Sequence, residues 1–135
     1  MVFIRDKKGK GTAGERELVH MFWQRGWPCI RVAGSGSGRY PSPDLLAGNR
    51  ERKVALECKT IGNRNIYISK EQINGLKEFC AGFGAEAYVG VKFPKDGWLF
   101  LSLDDLNECK SSYTVSSEIA KAKGFIIDEL IGNKL

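Results

Sequence analysis

The hydrophobic residues near the start of the chain recur every three or four positions. This spacing predicts an amphipathic helix from Thr12 to about Gly26, which the glycine and the following Pro28 end. A second stretch with the same period predicts a helix from Ser69 to about Gly82. The tail predicts one or two short helices, the last near Phe125 to Ile131. The apolar stripes of the two longer helices are Leu18, Val19, Phe22 and Trp23, and Ile73, Leu76, Phe79 and Cys80.

Shorter apolar stretches between these helices predict β-strands. The segment 34–43 (GSGSGRYPSP) must be a loop, because its glycines and prolines disfavour regular structure. The order of helix, strands, helix, strands and helix implies an α/β fold with a mixed β-sheet flanked by helices. The predicted strands are 29–33, 44–47, 54–60 and 66–68, followed by a hairpin of 87–93 and 98–103 that turns at 94–97.

Composition narrows the class of protein. A chain of 135 residues with 42% hydrophobic and 27% charged residues suits one folded domain, 1–135, and argues against disorder. The net charge of +5 favours a polyanionic partner. No apolar run is long enough to span a membrane, and the basic arm 1–10 lacks the apolar core of a signal peptide, so we expect a cytoplasmic protein. The four cysteines form no C-x-x-C pair, and we expect them to be reduced and mostly buried.

One spacing of charged residues points to chemistry. Asp44 follows Pro43, and Glu57-Cys58-Lys59 comes twelve residues later, as in the D…E-x-K signature of nucleases. The pattern alone is weak, since some spaced D…E-x-K should occur in about one chain in four of this size. Two other segments, Glu51-Arg52-Lys53 and Glu108-Cys109-Lys110, also fit E-x-K.

Local context separates the three E-x-K segments. The segment at 51–53 lies in a polar turn, and the one at 108–110 follows a predicted short helix, where residues two apart diverge. Glu57 and Lys59 lie on an apolar strand, so their side chains share one face, while Val54, Leu56 and Cys58 point to the other.

The expected hairpin register brings Asp44 to the same place. If Ala47 pairs with Val54, then Asp44 pairs with Glu57, and directly opposite residues have Cβ atoms about 5 Å apart. Two carboxylates that close repel each other unless a cation lies between them. The alternative is an ion-pair cluster on a solvated face.

The chemistry of these side chains suits phosphodiester hydrolysis. Carboxylate oxygens bind Mg²⁺, and Mn²⁺ should substitute for it. The metal would polarise the phosphate and activate a water, while Lys59 orients that water or stabilises charge on the phosphoryl oxygens. The backbone carbonyl of Cys58, between the two strand residues, could also reach the metal.

Several ordered motifs resemble the archaeal Holliday junction resolvases of the Hjc type. The resemblance covers most of the chain and is far more specific than D…E-x-K alone. It is carried by Gly11-Thr12-Ala13-Gly14-Glu15-Arg16-Glu17-Leu18-Val19, Arg31-Val32-Ala33-Gly34-Ser35, Pro43-Asp44-Leu45-Leu46-Ala47-Gly48-Asn49, Glu57-Cys58-Lys59, Val91-Lys92-Phe93 and Gly97-Trp98.

This resemblance implies a restriction-endonuclease-like fold and a homodimer that makes paired nicks across a four-way DNA junction in recombination and repair. It implies that Glu15 joins Asp44, Glu57 and Lys59 in the catalytic site, and that Arg16 and Arg31 contact DNA. It also places a loop serine, Ser35, near the scissile phosphate. The loop is longer than in the shortest members, so Ser37 or Ser42 could take that position.

Some of these residues have structural alternatives. Thr12-x-x-Glu15 and Ser69-x-x-Gln72 both have the form of a helix capping box, so Glu15 and Gln72 could serve only as caps. The glycine-rich loop lacks the G-x-G-x-x-G spacing of a nucleotide site, and we expect its hydroxyls and Arg39 to reach DNA phosphates instead. Arg5, Lys7, Lys8 and Lys10 could form a solvated tail or a DNA-binding arm. His20 has no partner pattern and is interpreted as structural.

Two further hypotheses concern the whole molecule. Trp98, Phe100 or the segment 125–131 could supply the apolar patch of a two-fold dimer. The leading functional hypothesis is a Mg²⁺-dependent, structure-selective endonuclease. A nuclease of the same fold that cuts another DNA structure or duplex, and a non-catalytic junction-binding protein, are the alternatives.

Overall fold

The computed structural model describes residues 2–34, 38–61 and 65–132, and for residues 2–10 it describes the backbone alone. It contains four α-helices, eight β-strands and one short 3-10 helix in these residues. In chain order they are α1 Val2–Gln24, β1 Cys29–Arg31, β2 Leu45–Gly48, β3 Lys53–Thr60, β4 Ile66–Ser69, α2 Lys70–Phe83, β5 Glu86–Phe93, β6 Gly97–Ser102, the 3-10 helix Leu103–Asp105, β7 Asn107–Glu108, β8 Ser112–Val115, α3 Ser117–Lys123 and α4 Ile127–Gly132.

The main sheet has five strands in the order β1-β2-β3-β5-β6. Its strands are antiparallel except for the central pair β3 and β5, which are parallel and are connected through β4 and α2. A parallel connection needs such a crossover, because the chain must return to the edge where the first strand began. The predicted mixed sheet flanked by helices is confirmed.

Helices cover the two faces of this sheet, and strand alternation decides which residues face which helix. Leu56 of β3 packs with Leu18 and Phe22 of α1 in one buried cluster. Ala55, the preceding residue, packs with Leu76 of α2 in another. Because neighbouring strand residues point to opposite faces, β3 packs against α1 with one face and against α2 with the other.

The first helix begins earlier than predicted, at Val2 instead of Thr12. The basic segment that we expected to be a separate arm is therefore the first part of α1. Lysine and arginine are good helix formers, and they outweigh the unfavourable glycines at 9 and 11. Because Thr12 is inside the helix, it is no N-cap, and the capping-box alternative for Glu15 is wrong.

The C-terminal part contains strands that the sequence did not predict. The unpredicted strands β7 and β8 join the predicted strand β4 in a second, three-stranded sheet. The short helix predicted after β6 is present as the 3-10 helix Leu103–Asp105, but Glu108, which was expected to have helical geometry, lies in β7. Strands of two to four residues are too short to show a period. Pairing with β4, more than forty positions earlier in the chain, holds β8, and β7 pairs with β8 as a short hairpin.

The buried core corrects one hypothesis about assembly. Trp98 and Phe100 are 6% and 0% exposed, so they belong to the core and cannot form a dimer patch. All four cysteines are free, although two of them, Cys29 and Cys80, are buried, Cys58 is half-buried and Cys109 is exposed. Within the described residues, no helix combines the length and apolar character that crossing a membrane requires.

Candidate active site

The β2–β3 hairpin has the predicted register, with Ala47 opposite Val54 and Leu45 opposite Leu56. Asp44 lies just before β2, where the chain leaves this register. Its backbone N–H donates to the carbonyl of Leu56 at 2.9 Å, and its carboxylate oxygen Oδ2 accepts from the N–H of Cys58 at 2.8 Å. The carboxylate is therefore held against the backbone of β3 beside Glu57, by a contact that the simple pairing did not include.

Glu57 is the one charged residue among the described residues that is buried, with 8% of its surface exposed. Burial raises the pKa of its carboxyl to about 8, with a further contribution from the neighbouring charge of Asp44, and the nearby Lys59 only partly opposes this. A carboxylate placed in the core beside another carboxylate is unfavourable without a cation or a proton. The solvated ion-pair alternative does not fit this burial.

Lys59 and Glu57 meet on the α2 face of the sheet, where both contact Gln72. The amide Nε2 of Gln72 donates to Glu57 Oε2 at 3.2 Å, and its Oε1 accepts from Lys59 Nζ at 3.5 Å. The same side chain completes the capping box of α2 with Ser69. Gln72 is thus both a helix cap and a neighbour of the site, so its two interpretations are compatible.

Glu15 approaches from α1 on the other side of Asp44. Burial raises the pKa of its carboxyl and the Asp44 charge adds to this, while the guanidinium of Arg31 opposes both. Arg31 Nε donates to Glu15 Oε1 at 2.9 Å. Glu15 also interacts electrostatically with Glu57, so the four predicted side chains Glu15, Asp44, Glu57 and Lys59 lie in one region.

Two neighbours of Glu15 attach α1 to the sheet and had no assigned role in the sequence analysis. Glu17 Oε1 accepts from the indole Nε1 of Trp98 at 3.0 Å and from Lys92 Nζ at 2.7 Å. Gly14 is buried so close to Trp98 that a Cβ atom there would lie 3.1 Å from the ring. Both residues stand in the motif that begins at Gly11, but only tertiary contacts reveal what they do.

The two other E-x-K segments lie away from this site. Glu108 pairs with Lys70 at 3.0 Å on the surface. Glu51 lies in the turn between β2 and β3, where its N–H donates to the side chain of Asn49. The choice of Glu57 and Lys59 over these segments is consistent with their positions.

The predicted DNA-binding residues are distributed around the carboxylates. Arg16 is exposed on α1 directly after Glu15, and Arg39 lies over the ring of Tyr40, 5.7 Å from its centroid. Ser42 lines a cleft together with Asp44 and Glu57. Lys7, Lys8 and Lys10 lie on the first part of α1, but their side chains, like Ser35 and Ser37, are outside the described part of the structure.

The donor set suits a hard divalent cation. Within the described residues, no three acidic, histidine or cysteine side chains stand together as a complete metal site. Mg²⁺ does not require one, because it usually keeps several waters and binds through one or two carboxylates. Asp44 and Glu57 supply such a pair, with Glu15 close enough to contribute negative charge.

Comparison with known proteins gives consistent matches over nearly the whole chain. The family model for archaeal Holliday junction resolvase (hjc) matches residues 6–134. Crossover junction endodeoxyribonuclease Hjc of Archaeoglobus fulgidus is 38% identical over 135 residues, covering 95% of this chain and 99% of that protein. Its namesake in Methanocaldococcus jannaschii is 34% identical over 129 residues, covering 96% and 92%. The solved structure of Archaeoglobus fulgidus Hjc, described as a Holliday junction resolvase, matches with a TM-score of 0.84 at 34% identity, covering 93% of this chain and 98% of that one.

Proposed function

The chain belongs to the archaeal Holliday junction resolvase family, and on that premise we propose that it is an endonuclease that resolves four-way DNA junctions. The observation that carries the proposal is the buried Glu57 carboxyl beside Asp44, with Lys59 on the same face. An acid in this setting is a poor choice for stability, and perturbed acids of this kind cluster at functional sites. We also propose that it acts in the cytoplasm, where its DNA substrate would lie.

The site would use Mg²⁺, with Mn²⁺ as a substitute. Asp44 and Glu57 would hold the ion together with the Cys58 carbonyl, and Glu15 would add a carboxylate from α1. Bound there, the ion would supply positive charge to the phosphate and lower the pKa of an attacking water.

The remaining groups act on the substrate. The ammonium of Lys59, oriented by Gln72, stabilises negative charge that develops on the phosphoryl oxygens. A loop serine approaches the scissile phosphate, and the candidates remain Ser35, Ser37 and Ser42. Of these, Ser42 lines the cleft beside Asp44.

Basic residues around the carboxylates would bind the phosphate backbone of the DNA arms. Arg16 and Arg39 are exposed near the site, and Lys7, Lys8 and Lys10 extend the positive charge along α1. Arg31 holds Glu15 and would also contact DNA. The chain carries a net charge of +5, so we expect its DNA binding to weaken steeply with salt.

Paired nicks require two active sites, so we propose a homodimer. The exposed large hydrophobics Trp23, Ile30 and Phe83 surround one shallow apolar groove beside the edge strand β1. We call these three residues the β1 patch. In a two-fold dimer the same patch from both copies is buried, which suits a self-complementary apolar surface. Phe125 and Ile126 are the exposed large hydrophobic residues of the segment after α3, whereas Ile127 and Leu130 are buried.

The test uses Asp44→Asn on a four-way junction and on linear duplex of matched sequence. We expect junction binding to be retained and cleavage to fall about a thousand-fold, since metal charge stabilisation amounts to several kcal/mol. The matched control is Asp96→Asn in the β5–β6 turn, where the carboxylate pairs with Lys121. Wild-type protein that binds junctions but never cuts them with Mg²⁺ or Mn²⁺ would leave only a binding function, and equal cutting of duplex would exclude junction selectivity.

A further inference from the structure

A cleft adjoins the two carboxylates and is larger than their metal chemistry requires. It has a volume of about 490 Å³ and lies between the loop 38–42 and the start of α2. A magnesium ion with six waters needs roughly 180 Å³, at about 30 Å³ for each water. The remaining volume is in the range of pockets that hold a small organic group.

The loop wall of this cleft presents an aromatic ring that has Arg39 beside it and is otherwise largely exposed. The side chain of Tyr40 is 74% exposed, and the Arg39 guanidinium lies 5.7 Å from the centre of its ring. Next to it, Pro41 packs against Gly75 of α2, so close that a Cβ on the glycine would lie 3.5 Å away. The loop that carries the Tyr40 ring is thus supported by α2.

The charges in the cleft favour a neutral group over a second phosphate. Asp44, Glu57 and Glu71 line it, and Arg39 is the only basic residue among its lining residues. A phosphate away from the metal would meet mainly carboxylates. A nucleobase is neutral, and its amino groups can donate to a carboxylate.

We propose that this cleft is a nucleoside subsite in which the Tyr40 ring stacks on a base displaced at the branch point, next to the scissile phosphate. The inference rests on the proposed function, and it adds a reason for preferring branched DNA. Bases within a duplex are stacked on both faces, so only a base displaced from its stack can offer a face to the ring. Tyr40 is then a specificity-determining residue for the junction.

The experiment compares Tyr40→Leu with Tyr40→Phe, since leucine keeps apolar character without a stacking face and phenylalanine keeps the face. Cleavage of a four-way junction should fall about 5-fold to 100-fold with leucine and stay near wild type with phenylalanine, the range expected for one base–aromatic stack. Cleavage of duplex should not change. Tyr67→Leu is the matched control, because Tyr67 is 66% exposed and does not line the cleft.

An abasic site tests the partner of the ring directly. Removing single bases beside the cut should reduce wild-type cleavage at one position. On a junction that lacks this base, Tyr40→Leu should cause no further loss of cleavage. A leucine variant equal to wild type, or effects that multiply at every position, would overturn the proposal.

The fluorescence of 2-aminopurine at the same position is measured with Ca²⁺ so that no strand is cut. It separates the nucleoside subsite from the proposed function of junction cleavage. Quenching that depends on the Tyr40 ring supports the subsite even if no junction is cleaved. Cleavage without such quenching keeps the proposed function and rejects the subsite.

Discussion

At the scale of the residue, Glu57 shows how this site opposes the stability of its own fold. Its carboxyl is buried beside Asp44, and the amide of Gln72 is a weak replacement for the water it has lost. Desolvation of a charge is among the larger unfavourable contributions in a protein interior. The raised pKa of about 8 means that the metal-free site relieves part of this repulsion by keeping a proton.

This pKa shift gives the metal-free protein a defined pH dependence. A carboxyl whose pKa rises from 4.5 to about 8 on folding binds an extra proton in the folded state between those values. Its contribution to the free energy of unfolding is therefore fully present below pH 4.5 and is lost as the pH rises through 8. The advantage of Glu57→Gln over wild type, measured by denaturant unfolding without metal, should grow over this window.

Two conditions check the cause of this effect. Saturating Mg²⁺ should shrink the difference at high pH, because a bound cation favours the ionised carboxylate. Glu108→Gln, the same change in the exposed E-x-K segment of β7, should differ from wild type by a constant amount. A constant difference for Glu57→Gln as well would show that its carboxyl is not perturbed.

At the scale of the element, α1 positions Glu15 through contacts made by Gly14 and Glu17, which lie on either side of it in the helix. Gly14 allows the helix to approach Trp98, and Glu17, two residues on, accepts from the indole of the same ring. The absence of a side chain at Gly14 therefore sets how close α1 lies to the sheet, and the hydrogen bond to Glu17 fixes the orientation of the helix. The position of the Glu15 carboxylate beside Asp44 depends on both.

Alanine at two glycines of α1 should have opposite effects. Alanine is favoured over glycine in a helix by about 1 kcal/mol. At Gly11, where nothing lies within 4 Å of the added Cβ, Gly11→Ala should raise the free energy of unfolding by about that amount. At Gly14 the new Cβ would meet buried Trp98 at 3.1 Å, and overpacking of about 1–3 kcal/mol should outweigh the gain.

Denaturant unfolding measures the two stabilities, and junction cleavage measures the shift of Glu15. We expect Gly14→Ala to lower both the free energy of unfolding and the rate of junction cleavage, since the helix must move away from the sheet. Equal stabilisation by Gly11→Ala and Gly14→Ala would mean that the Trp98 side chain shifts to make room and that α1 does not move.

At the scale of the whole molecule, the exposed apolar surface decides how two copies could meet. The β1 patch lies beside the edge strand and around an apolar groove, and the Phe83 ring stacks on Phe79 at 5.1 Å. Trp98 and Phe100 are absent from the surface because they fill the core under α1. The outer edge of β1, where the Cys29 carbonyl accepts from the Trp23 indole at 2.9 Å, would also be covered by a partner, which removes a hazard for aggregation.

If the proposed dimer forms through the β1 patch, Phe83→Glu should convert it into monomers without unfolding them, because the side chain is 47% exposed within one copy. Sedimentation at micromolar concentration gives the mass, and a junction in a small DNA circle should then receive single nicks in place of paired ones. Ile126→Glu is the comparison, since Ile126 is 49% exposed in the other candidate segment. A monomer from Ile126→Glu together with a dimer from Phe83→Glu would move the interface to that segment.

The features that depend on local sequence were predictable. The period of the apolar residues determined α2, the β2–β3 hairpin and the β5–β6 hairpin, because amphipathic elements bury one side whatever they pack against. Strand alternation put Glu57 and Lys59 on one face, and the ordered motifs identified the family. The glycines and prolines of the segment after β1 predicted a loop there.

Other features required the tertiary structure. The start of α1 was missed because its basic residues show no apolar period, and β7 and β8 are too short to show a period of their own. The burial of Glu57, the double role of Gln72 and the hydrogen bond from Cys58 to Asp44 depend on atoms brought together from distant segments. Sequence alone thus predicted which side chains would carry the chemistry, whereas only the packing of α1 and α2 against the sheet decided the ionisation of Glu57, because desolvation depends on what surrounds a charge and not on its neighbours in the chain.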